Sequence, residues 1–159
     1  MDCNDALMGC KGGMPWVALE SIKHHGLERE VDYPYFAQKS TCREKKQLIN
    51  GTISEVHIIK KHSAEEMQKA MLLHGPHTIS VHADEWPYYS NGLMTAKACG
   101  GTKGDHAVLA VGWGMTATNQ SYWIVKNSWG GTWGMQGYIW VELGVDACGI
   151  EKEPLAADA

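Results

Sequence analysis

One histidine and one asparagine lie at the ends of two apolar runs that should form neighbouring strands. His106 precedes the run 107–113, and Asn127 closes the run 121–127. If these runs pair as an antiparallel hairpin through the turn at 116–120, both side chains lie at the same end of the sheet. An asparagine oxygen that accepts from one ring nitrogen orients the imidazole, so the other nitrogen can take and give protons. This arrangement predicts an oriented acid–base pair.

The cysteines are the other residues that could carry chemistry. There are five, at Cys3, Cys10, Cys42, Cys99 and Cys148. They lack the close cysteine or histidine spacing of a zinc site, and the remaining histidines form no ligand pattern, so we predict no metal and no cofactor. Scattered cysteines, together with glycosylation triplets at Asn50 and Asn119, favour an oxidising compartment. The odd number of cysteines leaves one thiol over.

Length and composition exclude several classes of protein. The chain has 159 residues, enough for one domain or two small lobes, and 44% of them are apolar, enough for a packed core. A net charge of −4 gives no basic surface for nucleic acid. No apolar run approaches the roughly 20 residues that span a membrane, and the first residues lack the pattern of a signal peptide. We therefore expect no nucleic-acid and no membrane partner.

Caps and periodicity predict the elements that position the pair. Pro15 suits a helix start and Gly26 a helix end, and the apolar residues between them should pack into the core. Ser63 and Glu66 form a capping box ahead of a second helix. Further strands are predicted at 52–60, 77–84 and 137–143. The sequence therefore predicts both helices and strands.

The stretch 104–138 carries a resemblance to a known family. It contains Gly-Asp-His-Ala-Val around His106 and Lys-Asn-Ser-Trp-Gly around Asn127. These runs resemble the histidine and asparagine motifs of papain-like cysteine proteases. The resemblance implies that His106 is the acid–base group, that Asn127 orients it, and that Trp129 shields their hydrogen bond from water.

The same resemblance extends, more loosely, over nearly the whole chain and implies a truncated papain-like two-lobe α+β fold. Residues 1–54 would be the remnant of the helical lobe without its central helix. Residues 55–159 would form the antiparallel β-barrel-like lobe that carries His106 and Asn127. The implied disulfides are Cys3–Cys42 and Cys99–Cys148. Together with the glycosylation triplets and the resemblance, they predict a lysosomal, vacuolar or secreted protein. Cys10 is left over, because its partner in the family lies just ahead of the nucleophile.

Substrate contacts are also implied by the resemblance. The loop Cys10-Lys11-Gly12-Gly13 resembles the family loop whose second glycine pairs with the substrate backbone, although a plain glycine turn is the alternative. Glu153 matches a glutamate that some members carry at the floor of the S2 pocket, and a solvated carboxylate is its alternative. Between Gly26 and Cys42 there is no room for an occluding loop, which favours an endopeptidase. The full substrate-binding set is Gly12, Gly13, Met14, Pro15, Trp16, His82, Gly104, Asp105 and Glu153.

The family's nucleophile does not occur in the sequence, because the motif Cys-Gly-Ser-Cys-Trp is absent. In the family this cysteine precedes the histidine by roughly 130–150 residues, which places it about 24 residues or more ahead of Met1. The oxyanion-hole glutamine would lie further upstream. One truncation would explain both the missing nucleophile and the leftover thiol of Cys10. We therefore expect the chain to be inactive alone.

Three interpretations of function remain. The first is a papain-like endopeptidase, seen as a fragment, whose partners are peptide or protein substrates and a missing N-terminal segment or prosegment. The second is a pseudoprotease that binds peptides without cutting them or complements a separate chain. The third is a disulfide-stapled extracellular domain with accidental motifs. Because both His106 and Asn127 are present, the sequence favours the first.

Overall fold

The computed structural model of the chain describes residues 2–159. It divides into two compact units. The first comprises the residues up to Val56 together with Ala157–Ala159, and the second spans His57–Ala156. The two α-helices and nine strands that the structure describes confirm the predicted α+β class. The assignment of the two halves as a helical remnant and a barrel-like lobe stays a prediction.

The first unit contains one helix and a short hairpin-like pair of strands. Helix α1 spans Pro15–His25 and ends where the Gly26 N–H donates to the Ile22 carbonyl at 2.7 Å. Strands β1 (Leu27–Glu28) and β2 (Ile49–Gly51) pair antiparallel. The helix bounds were predicted correctly, but its core packing was not, because no residue of α1 is buried.

The second helix begins at the predicted capping box. Helix α2 spans Ala64–His74, and the Ser63 hydroxyl accepts a hydrogen bond from the Glu66 N–H at 3.3 Å. Its buried face consists of Met67, Ala70 and Met71. This spacing places one apolar stripe against the sheet, as an amphipathic helix requires.

The main sheet has seven strands in the order β3-β9-β4-β6-β7-β8-β5. Their bounds are β3 Glu55–Ile58, β4 His77–Val81, β5 Leu93–Met94, β6 His106–Met115, β7 Ser121–Lys126, β8 Tyr138–Glu142 and β9 Leu155–Asp158. The predicted hairpin exists, since β6 and β7 pair antiparallel with Met115 opposite Ser121. Strand β5 instead pairs parallel with β8.

Alternation along the strands builds the core of the second unit. Strand β4 buries His77, Ile79 and Val81, and β7 buries Trp123 and Val125. Side chains at alternate strand positions point to one face, so the residues between the buried ones are left half-buried. The buried disulfide Cys99–Cys148 closes the same unit, and Cys3–Cys42 closes the first one. Both pairings are those that the family resemblance implied, and Cys10 remains a thiol.

Candidate active site

The structure brings His106 and Asn127 into direct contact. The imidazole Nε2 lies 2.8 Å from the Asn127 amide oxygen Oδ1. His106 is the first residue of β6, and Asn127 follows directly after the last residue of β7, so the antiparallel pairing places both at one end of the sheet. His106 is half-buried and Asn127 is buried, with 8% of its surface exposed. The predicted geometry of the pair is therefore present.

The hydrogen bonds of Asn127 also fix which imidazole nitrogen carries the proton. The backbone N–H of Ser128 donates to the same Oδ1 at 2.8 Å, so this atom must be the amide oxygen. An oxygen that accepts from Ser128 can only accept from His106 as well, which requires a proton on Nε2. In the neutral imidazole the other nitrogen, Nδ1, is then the proton acceptor. The arrangement thus prepares Nδ1 as a general base.

Two tryptophans contact the imidazole, and a third packs against both of them. The Trp129 ring stacks on it with centroids 5.1 Å apart, and the buried Trp86 ring meets it edge-on at 6.3 Å. Trp133 connects the other two, at 5.2 Å from Trp129 and 6.1 Å from Trp86. Its indole N–H donates to the Trp86 carbonyl at 3.0 Å, which ties the loop after β7 to the turn at Trp86. These aromatic contacts leave the imidazole few orientations.

Side chains from two other segments hold the loop 102–105 that precedes His106. The Lys152 ammonium donates to the Thr102 carbonyl at 2.7 Å and contacts the Thr102 hydroxyl at 2.8 Å. The His82 Nδ1 lies 3.1 Å from the Lys103 carbonyl and 3.2 Å from a carboxylate oxygen of Asp105. The other oxygen of that carboxylate accepts from the Ala83 N–H at 2.9 Å. This network fixes the backbone one residue ahead of the imidazole.

The same network contains the donor atoms of a possible cation site. His82, Asp84 and Asp105 offer one ligand atom each within 4.8 Å of one another. The His82 ring is, however, already engaged by Lys103 and by both carboxylates, and the Asp84 side chain is 73% exposed. The cluster is explained as an ion-paired hydrogen-bond network, and we assign it no metal.

The other predicted substrate residues lie in different surroundings. The first unit contains Gly12, Gly13, Met14, Pro15 and Trp16. Helix α1 begins at Pro15, directly after its N-cap Met14, and the Met14 and Trp16 side chains are about half exposed. In the second unit, Gly104 lies against β4, since a side chain there would meet Ser80 at 3.1 Å. The substrate-binding role of these residues stays a prediction.

Two neighbouring glutamates near the C-terminus have opposite environments. Glu153, the predicted S2 residue, is 58% exposed and lies 3.6 Å from the Lys61 ammonium. This exposure is compatible with the solvated alternative, and the substrate-binding role of Glu153 stays a prediction. Glu151 is 3% exposed and accepts from the Gly144 N–H at 2.9 Å and from the Trp123 indole at 3.4 Å. Sequence reasoning did not single out Glu151, and its buried hydrogen bonds give it a structural role.

Sequence reasoning also missed two of the tryptophans. The spacing of four residues between Trp129 and Trp133 in a glycine-rich loop was a usable signal for Trp133. Trp86 gives no local signal, because its contact with His106 joins positions that are twenty residues apart in sequence.

Gly134 lies directly after Trp133 in the loop that carries two of these tryptophans, and substituting it should test its role in holding that loop. Its φ is +54°, and a Cβ would lie 2.6 Å from the Tyr138 carbonyl and 3.2 Å from the Tyr89 ring. We expect Gly134→Ala to lower the free energy of unfolding by about 2 kcal/mol or more, since strain and a backbone clash add. Gly144→Ala is the matched control, because φ there is +86° and nothing lies within 4 Å. If urea melts gave equal losses in the free energy of unfolding for Gly134→Ala and Gly144→Ala, no clash would exist at Gly134.

Comparisons with known proteins agree with this geometry. A profile described as papain family cysteine protease matches residues 1–157. A pro-cathepsin H from Medicago truncatula is 36% identical over 156 residues, which cover 94% of this chain and 44% of the relative. The structure of bromelain from Ananas comosus with the E64 inhibitor superposes with a TM-score of 0.88 at 34% identity, covering 99% of this chain and 74% of that one. A digestive procathepsin L 3 from Tenebrio molitor gives a TM-score of 0.93 at 32% identity over 99% of this chain and 53% of that one.

These relatives confirm the predicted papain-like α+β fold and the family resemblance. They also agree with the predicted lysosomal, vacuolar or secreted location. Among residues 2–159, no helix has the length and apolar character needed to cross a membrane. The chain spans less than half the length of the curated relatives it matches, at 44% and 40% for two of them.

Proposed function

The chain belongs to the papain family of cysteine proteases, and on that premise we propose that it supplies the acid–base half of a cysteine endopeptidase. The observation that carries the proposal is the 2.8 Å contact between His106 Nε2 and an Asn127 oxygen that Ser128 also holds. A protein that only binds peptides has no need of an imidazole oriented in this way. We propose catalytic roles for His106 and Asn127 and a shielding role for Trp129.

The nucleophile is proposed to lie on a segment outside these residues. Cys3, Cys42, Cys99 and Cys148 are oxidised in two disulfides and therefore offer no thiolate. The fifth cysteine, Cys10, is an exposed thiol that lies 4.0 Å from the Ala37 carbonyl oxygen. We do not assign Cys10 as the nucleophile, because its position matches a structural cysteine of the family. The family relatives are long enough to carry a further segment, since the chain covers 44% of one of them.

In the proposed mechanism His106 Nδ1 takes the thiol proton and forms a thiolate–imidazolium pair with the incoming cysteine. The thiolate attacks the scissile carbonyl, and the imidazolium returns its proton to the leaving amine as the C–N bond breaks. A water molecule, deprotonated by the same Nδ1, then attacks the thioester carbonyl. The C–S bond breaks, the acid is released, and the cysteine leaves as a thiolate beside the imidazolium. Throughout, Asn127 keeps Nε2–H bonded, so the ring does not rotate between the two steps.

We further propose that the substrate peptide contacts the loop at Gly12 and Gly13 and the start of helix α1. A glycine allows a second backbone to approach closely and to pair with it as an added strand. The substrate class is a protein or an extended peptide. A prosegment is a second proposed partner, because procathepsins are among the similar structures.

The isolated chain should not hydrolyse peptides. We expect purified chain to release no fluorophore from a Phe-Arg amide substrate, and an epoxide inhibitor of the E64 type should add to none of its cysteines. The measurements are a fluorimetric assay and intact-mass spectrometry, with a papain-like enzyme as positive control. Hydrolysis that disappears in Cys10→Ser would contradict the proposal and make Cys10 the nucleophile.

A second arm tests the family function itself. The coding sequence extended upstream of Met1 should give a chain that hydrolyses the same substrate and loses activity when its additional cysteine is changed to serine. If the extended chain binds peptides but never cleaves them, the pseudoprotease interpretation replaces this proposal.

A further inference from the structure

The tip of the β6–β7 hairpin carries one of the two glycosylation triplets, Asn119-Gln120-Ser121. The tip is closed by backbone hydrogen bonds, from the Thr116 N–H to the Gln120 carbonyl at 2.9 Å and from the Asn119 N–H to the Thr116 carbonyl at 3.0 Å. The Thr116 hydroxyl also accepts from the Gln120 N–H at 3.1 Å. Asn119 has a φ of +63°, which asparagine tolerates at a turn. The fold therefore does not need the Asn119 side chain to close the turn.

The two groups that an N-glycosylation reaction reads are both available. Asn119 is exposed, Ser121 is half-buried, and among residues 2–159 neither the amide of the one nor the hydroxyl of the other makes a hydrogen bond. Glycans are attached as the chain enters the secretory pathway, so the finished fold only has to accommodate the product. An exposed hairpin tip can carry a bulky, solvated substituent without loss of packing.

The tip also lies far from the candidate active site within the same unit. His106 is the first residue of β6 and Met115 the last. At 3.2–3.4 Å per residue, the strand separates the tip from the imidazole by about 30 Å. A glycan at the tip would leave the His106–Asn127 end of the sheet open. It would cover Met115, a side chain that is 62% exposed at the start of the turn.

We propose that Asn119 is an N-glycosylation site. The substrate is an oligosaccharide carried on a polyprenyl pyrophosphate, the donor of this reaction in the secretory pathway. The bond between the first sugar carbon and the pyrophosphate oxygen breaks, and a bond from that carbon to Asn119 Nδ2 forms. The amide loses one proton and the lipid pyrophosphate leaves, with no oxidation or reduction. The proposal rests on the location of the protein and on the hairpin, and it is independent of catalysis.

The test measures attachment of the glycan during translation, before the fold can block access to Asn119. The chain is translated behind a cleavable signal sequence in the presence of endoplasmic-reticulum microsomes, and its gel mobility is compared before and after peptide N-glycosidase F. We expect a gel-mobility shift that peptide N-glycosidase F removes. In both Asn119→Gln and Ser121→Ala this shift should be smaller by the increment of one glycan. Ser121→Thr keeps the acceptor hydroxyl and should keep the shift. Thr52→Ala is the matched control, because it removes only the triplet at Asn50.

Two results would overturn the proposal. One is that Ser121→Ala, translated with microsomes, has the same gel mobility as the chain without a substitution. The other is a peptide containing Asn119 that mass spectrometry finds unglycosylated after secretion from eukaryotic cells.

Discussion

Trp123→Ala should destabilise the second unit by about 3–5 kcal/mol, the usual cost of truncating a buried large aromatic side chain. Trp123 has no exposed surface and lies in the middle of β7, between Trp113 on β6 and Val141 on β8. Its ring meets Trp113 edge-on at 6.4 Å. Its indole N–H also donates to the buried Glu151 carboxylate, so truncation leaves that charge with one donor fewer. The total free energy of unfolding of a protein domain is about 5–15 kcal/mol, so this loss is a large part of it.

The measurement is a thermal and urea melt, and we expect the melting temperature to fall by about 10 °C or more. Tyr88→Ala is the control within the same unit, because that aromatic side chain is 84% exposed and should change the stability by no more than about 0.5 kcal/mol. Similar losses for the two variants would show that the described core does not exist in solution.

The part of the site that could be predicted from sequence is the part that local rules determine. A polar turn between two alternating runs specifies a hairpin, and a hairpin brings the start of one strand beside the end of the next. His106 and Asn127 occupy those two positions, so their contact needed no long-range information. The second helix was predictable for the same reason, since Ser63, Glu66 and Gly75 mark its ends locally.

The remainder depends on contacts between distant positions. The Trp86 ring packs edge-on against His106, yet nothing in the sequence around Trp86 indicates this contact. Glu151 is buried because Trp123 and Gly144 donate to it, whereas Glu153, two residues later, is exposed. A period-2 or period-3.6 pattern assigns a face to a residue but not a partner. For helix α1 the sequence predicted too much burial, because its apolar residues indicated a core helix and none of them is buried.

His106→Gln should lower kcat by about 10²–10⁴-fold in the protease extended by its nucleophile segment, the usual contribution of a general acid–base group. Glutamine can still donate a hydrogen bond to the Asn127 oxygen and can still pack against Trp129, so the fold should be kept. It cannot take a proton at the position of Nδ1. The loss should appear in kcat with little change in KM, because proton transfer is made only in the transition state.

The control for His106→Gln is His24→Gln, a histidine on helix α1 whose side chain is 71% exposed. It should leave kcat and the melting temperature unchanged. Asn127→Ala should reduce kcat less than His106→Gln, because the imidazole remains and only its orientation is lost. If instead His106→Gln lowered the melting temperature as Trp123→Ala does, the histidine would be a structural residue. If it retained full kcat with an intact fold, the acid–base role would belong to another group, and the hydrogen bond to Asn127 would serve the hairpin alone.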